Sequence, residues 1–257
     1  MNAVGRVIAI VNQKGGVGKS TTAVNLGAYL ADAGKRTLLV DIDPQGNASS
    51  GVGVNKGTLK ACMYDVLIEE QPIEAIIQQT AVPGLDVAPA SIELAGAEVQ
   101  LVSTMSREYR LERALERVRQ AYDYVLIDSP PSLGLLTING LTAADGVLVP
   151  IQCEFYALEG LSQLMQTIEI VRHHLNPDLA VDGVVLTMYD ARTNLSEEVA
   201  RDVRAFFEGR VPVFETIIPR NVRLSEAPSF GQPILLYDNR CSGAVAYRNL
   251  AQEVMAG

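Results

Sequence analysis

Short runs of Val, Ile and Leu recur along the chain and alternate with longer segments of helical periodicity. Most runs are almost continuously apolar, which is typical of strands buried on both faces of a parallel sheet. Strand–helix–strand repetition therefore predicts an α/β fold, with a doubly wound, mostly parallel sheet flanked by helices. The predicted strands span 6–12, 37–43, 85–90, 124–129, 146–152, 181–190 and 213–219. The predicted helices span 19–33, 107–121, 156–174, 195–208 and 243–255, with a further short helix near 64–68.

The length and composition favour one globular domain. The 257 residues contain no internal repeat and no linker-like stretch, so we expect a single domain over 1–257. Cys62, Cys153 and Cys241 form neither a CxxC pair nor a disulfide framework, which favours a reducing, cytoplasmic compartment. The sequence shows no signal peptide and no run of about 20 apolar residues, so we expect no membrane partner.

Residues 14–22 read KGGVGKSTT and lie between the first predicted strand and the first predicted helix. Glycines allow backbone N–H groups to face one anion, and the helix N-terminus adds partial positive charge. Lys19 can reach the β- and γ-phosphates of ATP, and the Ser20 hydroxyl can bind Mg²⁺. The segment therefore predicts the phosphate-binding loop of a P-loop NTPase. Its expected nucleotide contacts come from Lys14, Gly15, Gly16, Val17, Gly18, Lys19, Ser20 and Thr21.

The loop departs from the general GxxxxGK[ST] pattern, because Gln13 replaces the first glycine and Lys14 adds a lysine. This is the deviant form of the Walker A motif. Through it the sequence resembles the ParA/Soj chromosome-partitioning ATPases, in the group that includes MinD-type and nitrogenase iron-protein ATPases. The resemblance implies an ATP-bound homodimer in which Lys14 crosses the interface and contacts the other subunit's phosphates. Such a lysine would act catalytically beside Lys19, as an arginine finger does.

Carboxylates end two of the predicted buried strands. Asp128 ends YVLID, while Asp41 and Asp43 end TLLVDID, and such positions face the ligand crevice of a parallel sheet. The resemblance implies that Asp128 is the Walker B aspartate and holds the Mg²⁺ shell through water. It also implies that Asp43 orients the attacking water and contacts the metal shell, with Asp41 as a support. Strand alternation points Asp41 and Asp43 to the same side, so the pattern alone does not separate them.

The segment after Asp128 reads Ser-Pro-Pro-Ser over 129–132, and its two prolines stiffen the exit from the strand. By resemblance this is a second switch that senses the γ-phosphate, with Asn139 relaying the change. The resemblance also places the adenine pocket at the ends of the late strands. Met188, Pro219 and Arg220 are the expected lining residues, although Met188 could equally be a core residue.

Arg192, Arg220 and Arg223 lie beyond the last two strands, within DARTN and PRNVRLSEAPS. Both segments match ParA/Soj sequences, and the resemblance implies DNA binding without sequence preference through phosphate contacts. The net charge of −9 argues against a generally basic nucleic-acid binder but allows a local patch, because screening limits each charge to about 8–10 Å. The alternative is that these arginines pair with Asp190 or Glu226 on the surface.

The whole pattern predicts an ATP-dependent DNA-segregation ATPase, cytoplasmic and nucleoid-associated. By resemblance, its ATP sandwich dimer binds DNA and is released when a ParB-type centromere-binding protein stimulates slow hydrolysis. A MinD-like membrane-cycling ATPase is one alternative, but the end, AYRNLAQEVMAG, lacks a basic tail. An iron–sulfur carrier would need cysteines near DSPPS. A nucleotide-gated binding module with negligible turnover is a further alternative, and it differs only in whether Asp43 orients a water for hydrolysis.

Overall fold

The computed structural model describes residues 5–257, so residues 1–4 of the predicted domain lie outside the described residues. The strands are β1 Arg6–Ile10, β2 Thr37–Asp41, β3 Gln78–Gln79, β4 Leu85–Ala88, β5 Tyr124–Asp128, β6 Gly146–Gln152, β7 Ala180–Tyr189 and β8 Val213–Pro219. The α-helices are α1 Lys19–Asp32, α2 Asn47–Gly51, α3 Met63–Leu67, α4 Leu94–Leu101, α5 Arg110–Glu116, α6 Leu135–Ala143, α7 Leu161–His174, α8 Asn194–Phe207, α9 Val222–Glu226, α10 Ile234–Tyr237 and α11 Ser242–Ala256. Short 3₁₀ turns cover 56–58, 73–75, 107–109, 119–121 and 227–230.

The described strands form one eight-stranded sheet in the order β3-β4-β2-β5-β1-β6-β7-β8. Every neighbouring pair is parallel except β3 with β4, which is antiparallel. The predicted fold class, a mostly parallel sheet flanked by helices, is confirmed. All seven predicted strands are present, whereas the two-residue strand Gln78–Gln79 has no apolar pattern and was missed.

Alternate residues of the central strand β1 enter different cores. Val7 and Ala9 face the cluster that contains α3 to α8, while Ile8 and Ile10 face the cluster that contains α1 and α11. All four side chains are almost completely buried. Burial on both faces explains why the strand sequences are continuously apolar.

Two of the predicted helices need correction. The helix predicted over 107–121 is broken into α5 and two 3₁₀ turns. The helix predicted over 156–174 begins only at Leu161, because Gly160 adopts a left-handed backbone with φ of 75°. α4 and α6 were not predicted from periodicity. α6 (LLTINGLTA) is apolar on almost every side and so has no amphipathic stripe.

The parallel strands bring their C-terminal ends to one edge of the sheet. In the register, Asp128 lies beside both Ile10 and Asp41, so β1, β2 and β5 end side by side. The loops that follow them therefore meet at this edge, as is general for open parallel sheets. None of the helices in residues 5–257 combines the length and the apolar character needed to cross a bilayer.

Candidate functional site

The predicted phosphate loop joins β1 to α1 in a backbone conformation that requires glycine. Gly16 and Gly18 have φ of 76° and 91°, in the left-handed region that other residues rarely adopt. α1 begins at Lys19, directly after Gly18, and carries no acidic residue in its first turn. The partial positive charge of the helix N-terminus is therefore available to an anion in the loop.

Side chains from the neighbouring strands hold the loop in place. The Asn12 amide donates to the Pro150 carbonyl over 2.8 Å, and its oxygen accepts from the Lys14 amide over 2.9 Å. The Thr187 hydroxyl donates to the Val17 carbonyl over 2.8 Å. Bonds to β6 and from β7 thus hold the loop, and such pre-organisation lowers the cost of binding.

A cavity of about 510 Å³ opens in front of the loop. Its lining includes the predicted residues Gly15, Gly16, Gly18, Lys19, Ser20, Thr21 and Asp43. It also includes Gln45, Asn47, Pro131, Ala227, Pro228 and Ser229, which we did not predict as contacts. Val17 does not line it, because its side chain is buried in the protein.

Lys19 is buried at the floor of this cavity, with 6% of its surface exposed. Its ammonium donates to the Lys14 carbonyl over 3.2 Å. Burial lowers the pKa of Lys19, while the nearby Asp128 and Asp43 carboxylates act in the opposite direction. A cation held at a low-dielectric floor interacts strongly with an anion placed above it.

The side chain of Lys14 occupies a different place from the rest of the loop. It is half-buried and lines a separate depression of about 500 Å³, together with Pro131, Ser132 and Leu133. Lys19 does not line this depression. Within the described chain, Lys14 therefore does not contribute its side chain to the cavity that the other loop residues line.

The structure separates Asp41 from Asp43, which the strand pattern could not. Asp41 is fully buried and accepts from the Ser49 amide over 2.8 Å and the Ser49 hydroxyl over 2.7 Å. Asp43 lines the cavity, and its carboxylate accepts only from the Gln45 amide among the described residues, over 2.9 Å. Burial raises the pKa of Asp41 to about 6, although its hydrogen bonds oppose this shift. Asp43 is therefore the carboxylate that can meet a ligand.

Asp128 lies fully buried behind the loop. Both of its carboxylate oxygens have no hydrogen-bond partner among the described residues. Burial and the neighbouring Asp41 raise its pKa well above the ordinary value, and the nearby Ser20 and Lys19 act in the opposite direction. A buried carboxylate without a partner is costly, so it fits a cation shell next to Ser20.

Any divalent cation here would need ligands from outside the protein. Residues 5–257 contain no cluster of three or more His, Cys, Asp or Glu side chains able to hold a metal. Mg²⁺ commonly keeps several waters and is bound through one or two protein groups plus substrate phosphates. Ser20, Asp43 and Asp128 provide such a partial set beside the phosphate loop.

A second cavity of about 290 Å³ continues from the first past Gly18 and Thr21. The three residues predicted for the adenine pocket, Met188, Pro219 and Arg220, all line it. Met188 is half-buried with φ of 52°, so it lines the crevice and is not a core residue. The sequence reasoning missed Asn221, Leu224, Pro228 and Tyr247. The first three lie within the PRNVRLSEAPS segment, whereas Tyr247 comes from α11 and gave no local signal.

The predicted DNA-binding arginines lie close to the ends of β7 and β8. Their side chains are 85%, 58% and 55% exposed for Arg192, Arg220 and Arg223. Each forms an ion pair within the chain: Arg192 with Asp190, Arg220 with Glu154, and Arg223 with Glu226 and Asp238. The Arg192 guanidinium holds the pKa of Asp190 below its usual value. The arginines are thus on the surface, as predicted, and the alternative pairing is present too.

The segment over 129–132, predicted as a second switch, borders both the cavity in front of the phosphate loop and the depression beside Lys14. Pro131 lines the large cavity as well as the depression beside Lys14. Asn139 is buried in α6, where its amide donates to the Arg107 carbonyl over 2.8 Å and its oxygen accepts from the Leu111 amide over 3.2 Å. Asn139 therefore ties α6 to the start of α5, while its relay role stays a prediction.

Comparisons with known proteins show the family to which the chain is similar. A family model described as "AAA domain" matches residues 5–181. The sporulation initiation inhibitor protein Soj of Bacillus subtilis is 61% identical over 98% of this chain and 99% of its own length. The chromosome partitioning protein ParA of Caulobacter vibrioides is 58% identical over 98% of this chain and 94% of its own.

Solved structures give the same result for the fold. A Mycobacterium smegmatis protein, crystallised as cobyrinic acid a,c-diamide synthase with an ATP analogue and magnesium, is 41% identical with a TM-score of 0.86, covering 98% of this chain and 95% of its own. The cell division ATPase MinD of Pyrococcus furiosus is 28% identical with a TM-score of 0.79, covering 98% of this chain and 99% of its own.

Proposed function

The chain belongs to the ParA/Soj family of chromosome-partitioning ATPases, and on this premise we propose that it couples ATP hydrolysis to reversible DNA binding. One observation carries the proposal. The phosphate loop, the buried Lys19 and the cavity-facing Asp43 lie together, near Asp128, whose carboxylate has no hydrogen-bond partner among the described residues. A relative crystallised with an ATP analogue and magnesium supports ATP and Mg²⁺ as the ligands.

The roles of the loop residues follow from their positions. The amides of the loop and the N-terminus of α1 bind the phosphates, and Lys19 neutralises charge on the β- and γ-phosphates. Ser20 would hold Mg²⁺ directly and Asp128 would hold its water shell, which would give the buried Asp128 oxygens hydrogen-bond partners. When bound, Mg²⁺ supplies positive charge that stabilises the phosphates during transfer.

Asp43 orients the attacking water at the γ-phosphate end of the cavity. A strong base is not needed, because phosphoryl transfer through a loose transition state depends mainly on positioning and on charge stabilisation. Lys14 supplies the remaining cation to the twin subunit in an ATP-bound homodimer. Its side-chain position outside its own subunit's cavity supports this assignment.

The dimer carries two copies of Arg192, Arg220 and Arg223 and binds DNA phosphates without reading the bases. Doubling the patch makes DNA affinity depend on ATP, since one monomer offers only half of the contacts. A ParB-type centromere-binding protein accelerates slow hydrolysis and so releases the dimer from the nucleoid in the cytoplasm.

The apolar side of the C-terminal helix α11 is packed into the protein, so this helix does not itself offer a membrane anchor. Tyr247, Leu250 and Val254 form the apolar side of α11, and all three are buried in the core that also contains α1. An amphipathic membrane anchor needs an apolar face that is free to enter the lipid. Liposome pelleting with ATP tests this alternative.

Asp43→Ala distinguishes an ATPase from a nucleotide-gated binding module. We expect the variant to bind Mg²⁺–ATP and dimerise like the wild type, while phosphate release slows about 100-fold because the water is no longer positioned. Asp32→Ala, an exposed change at the end of α1, is the matched control and should hydrolyse normally. Wild-type turnover by Asp43→Ala would refute the catalytic assignment.

A further inference from the structure

The segment between β6 and α7 exposes two adjacent aromatic side chains. Phe155 is 76% exposed and Tyr156 is 60% exposed. Their rings pack edge to face with centroids 5.1 Å apart. Among the described residues, the strongly exposed Phe and Tyr side chains are these two and Phe230. Exposed neighbouring aromatic residues mark surfaces that bind other proteins.

A cavity of about 200 Å³ lies between this segment and α8. It is lined by Phe155, Tyr156, Ala157, Leu158, Glu159, Val199 and Asp202. Its only charged lining residues are acidic, and within residues 5–257 neither Glu159 nor Asp202 forms an ion pair. Aromatic faces beside free carboxylates are complementary to an arginine or lysine, which stacks on the ring and pairs with the acid.

The far end of the same segment lies against the phosphate loop. A Cβ on Gly160 would overlap the Gln13 side chain, so the backbone there is in direct contact with the residue before Lys14. Glu159 and Gly160 also line the depression that contains Lys14 and Pro131. A molecule docked on Phe155 and Tyr156 therefore bears on a segment that lies against the phosphate loop and shares a depression with the predicted second switch.

We propose that Phe155, Tyr156, Glu159 and Asp202 form the docking site for a basic segment of the protein that stimulates hydrolysis. An arginine or lysine of that segment inserts between the rings and the two carboxylates. The inference rests on the proposed function, because partner stimulation is part of it. Charge favours a basic occupant, because the charged residues that line the cavity, Glu159 and Asp202, are both acidic.

The aromatic arm of the test uses Phe155→Ala/Tyr156→Ala and titrates the purified ParB-type protein of the same organism into a phosphate-release assay. The concentration for half-maximal stimulation should rise about tenfold or more, as expected for two central aromatic contacts. Basal hydrolysis and Mg²⁺–ATP binding should stay at wild-type values. Met105→Ala, which changes a residue that is 87% exposed elsewhere on the surface, is the matched control.

The charge arm uses Asp202→Lys, which should weaken stimulation in the same direction and reduce its dependence on salt. Asp178→Lys changes an exposed carboxylate before β7, at the opposite end of the sheet, and should have no effect.

Wild-type stimulation of both the aromatic and the charge variants would overturn the proposal. Loss of the ATP-dependent dimer in size-exclusion chromatography would also overturn it, by assigning the surface to a second copy of the chain. Basal hydrolysis and DNA retention by the wild type test the proposed function separately, so the two failures are distinguishable.

Discussion

The nucleotide cavity and the arginine surface lie at the same edge of the sheet but are held in opposite ways. Lys19 and Asp128 are buried, and the loop in front of them is held by left-handed glycines and by hydrogen bonds with β6 and β7. Arg192 and Arg223 are more than half exposed and are held by carboxylates two or three residues away. The loop is thus held by contacts within the protein, whereas each arginine has to leave a carboxylate to meet a phosphate.

This difference implies that the two regions respond to different conditions. Charges buried in a low dielectric are hardly screened by salt, so the cavity should respond to pH through its carboxylates. Exposed guanidinium groups do not titrate near neutral pH, so the arginine surface should respond to salt.

The largest expected effect is on the stability of the nucleotide-free protein. Burial raises the pKa of Asp41 to about 6, above the value of about 3.9 in an unfolded chain. The folded state therefore holds this proton more tightly, and the stabilising contribution is complete below about pH 4. The free energy of unfolding should fall by up to about 3 kcal/mol as the pH rises through about 6.

Urea unfolding of the wild type and of Asp41→Asn between about pH 4 and about pH 7 measures this effect. The substitution removes the titrating group and should reduce the slope, while the exposed Asp32→Asn should keep it. Identical slopes for Asp41→Asn and the wild type would mean that Asp41 keeps an ordinary pKa in the fold.

A smaller effect is expected for Arg223→Glu on DNA retention in the presence of ATP. Loss of a phosphate contact from each subunit should weaken DNA binding about tenfold at physiological salt and lower the salt slope by about 1 per contact. Nucleotide affinity should not change, because Arg223 lines neither cavity. Arg210→Glu, exposed at the other end of β8, is the control. Equal DNA retention by both variants would leave an ATPase without the DNA-binding assignment.

The smallest expected effect is a gain of DNA affinity when the carboxylate that pairs with Arg223 loses its charge. Glu226 accepts from the Arg223 guanidinium over 3.1 Å and from the Tyr237 hydroxyl over 3.0 Å. Glu226→Gln removes the competing charge and should increase DNA affinity about twofold at low salt, since exposed pairs are weak. Gel-shift titrations beside Glu74→Gln, an exposed change far along the chain, measure it. A decrease in affinity would show that Glu226 positions Arg223 for DNA.

The parts of the fold and site that the sequence predicted well are those governed by local rules. Buried strands and the glycine loop follow from apolar runs and from left-handed backbone positions such as Gly18. α6 was missed because its burial on almost every side removes the periodicity on which the prediction relies. The start of α7 was misplaced because Gly160 turns left-handed against Gln13, a contact between distant parts of the chain.

The site residues divide in the same way, into those predicted by a local motif and those placed by tertiary packing. Lys19 and Ser20 were predictable from one motif, whereas Tyr247 enters the second cavity from α11 through packing that no motif records. Asp41 and Asp43 could be separated only by the structure, because their roles depend on the Ser49 hydrogen bonds formed across a turn. Asp190 and Glu226 are close in sequence to the arginines they pair with and were named as the alternative, whereas Glu154 reaches Arg220 from a distant part of the chain.

The central claim is that the loop from Lys14 to Ser20 binds Mg²⁺–ATP through contacts that include Lys19. Isothermal titration calorimetry of Mg²⁺–ATP into the purified protein tests it most directly, with Lys19→Ala as the variant and Lys35→Ala, an exposed change after α1, as the control. We predict binding by the wild type and the control, and affinity about 100-fold weaker for Lys19→Ala. No binding by the wild type, or equal affinity for Lys19→Ala, would contradict the account.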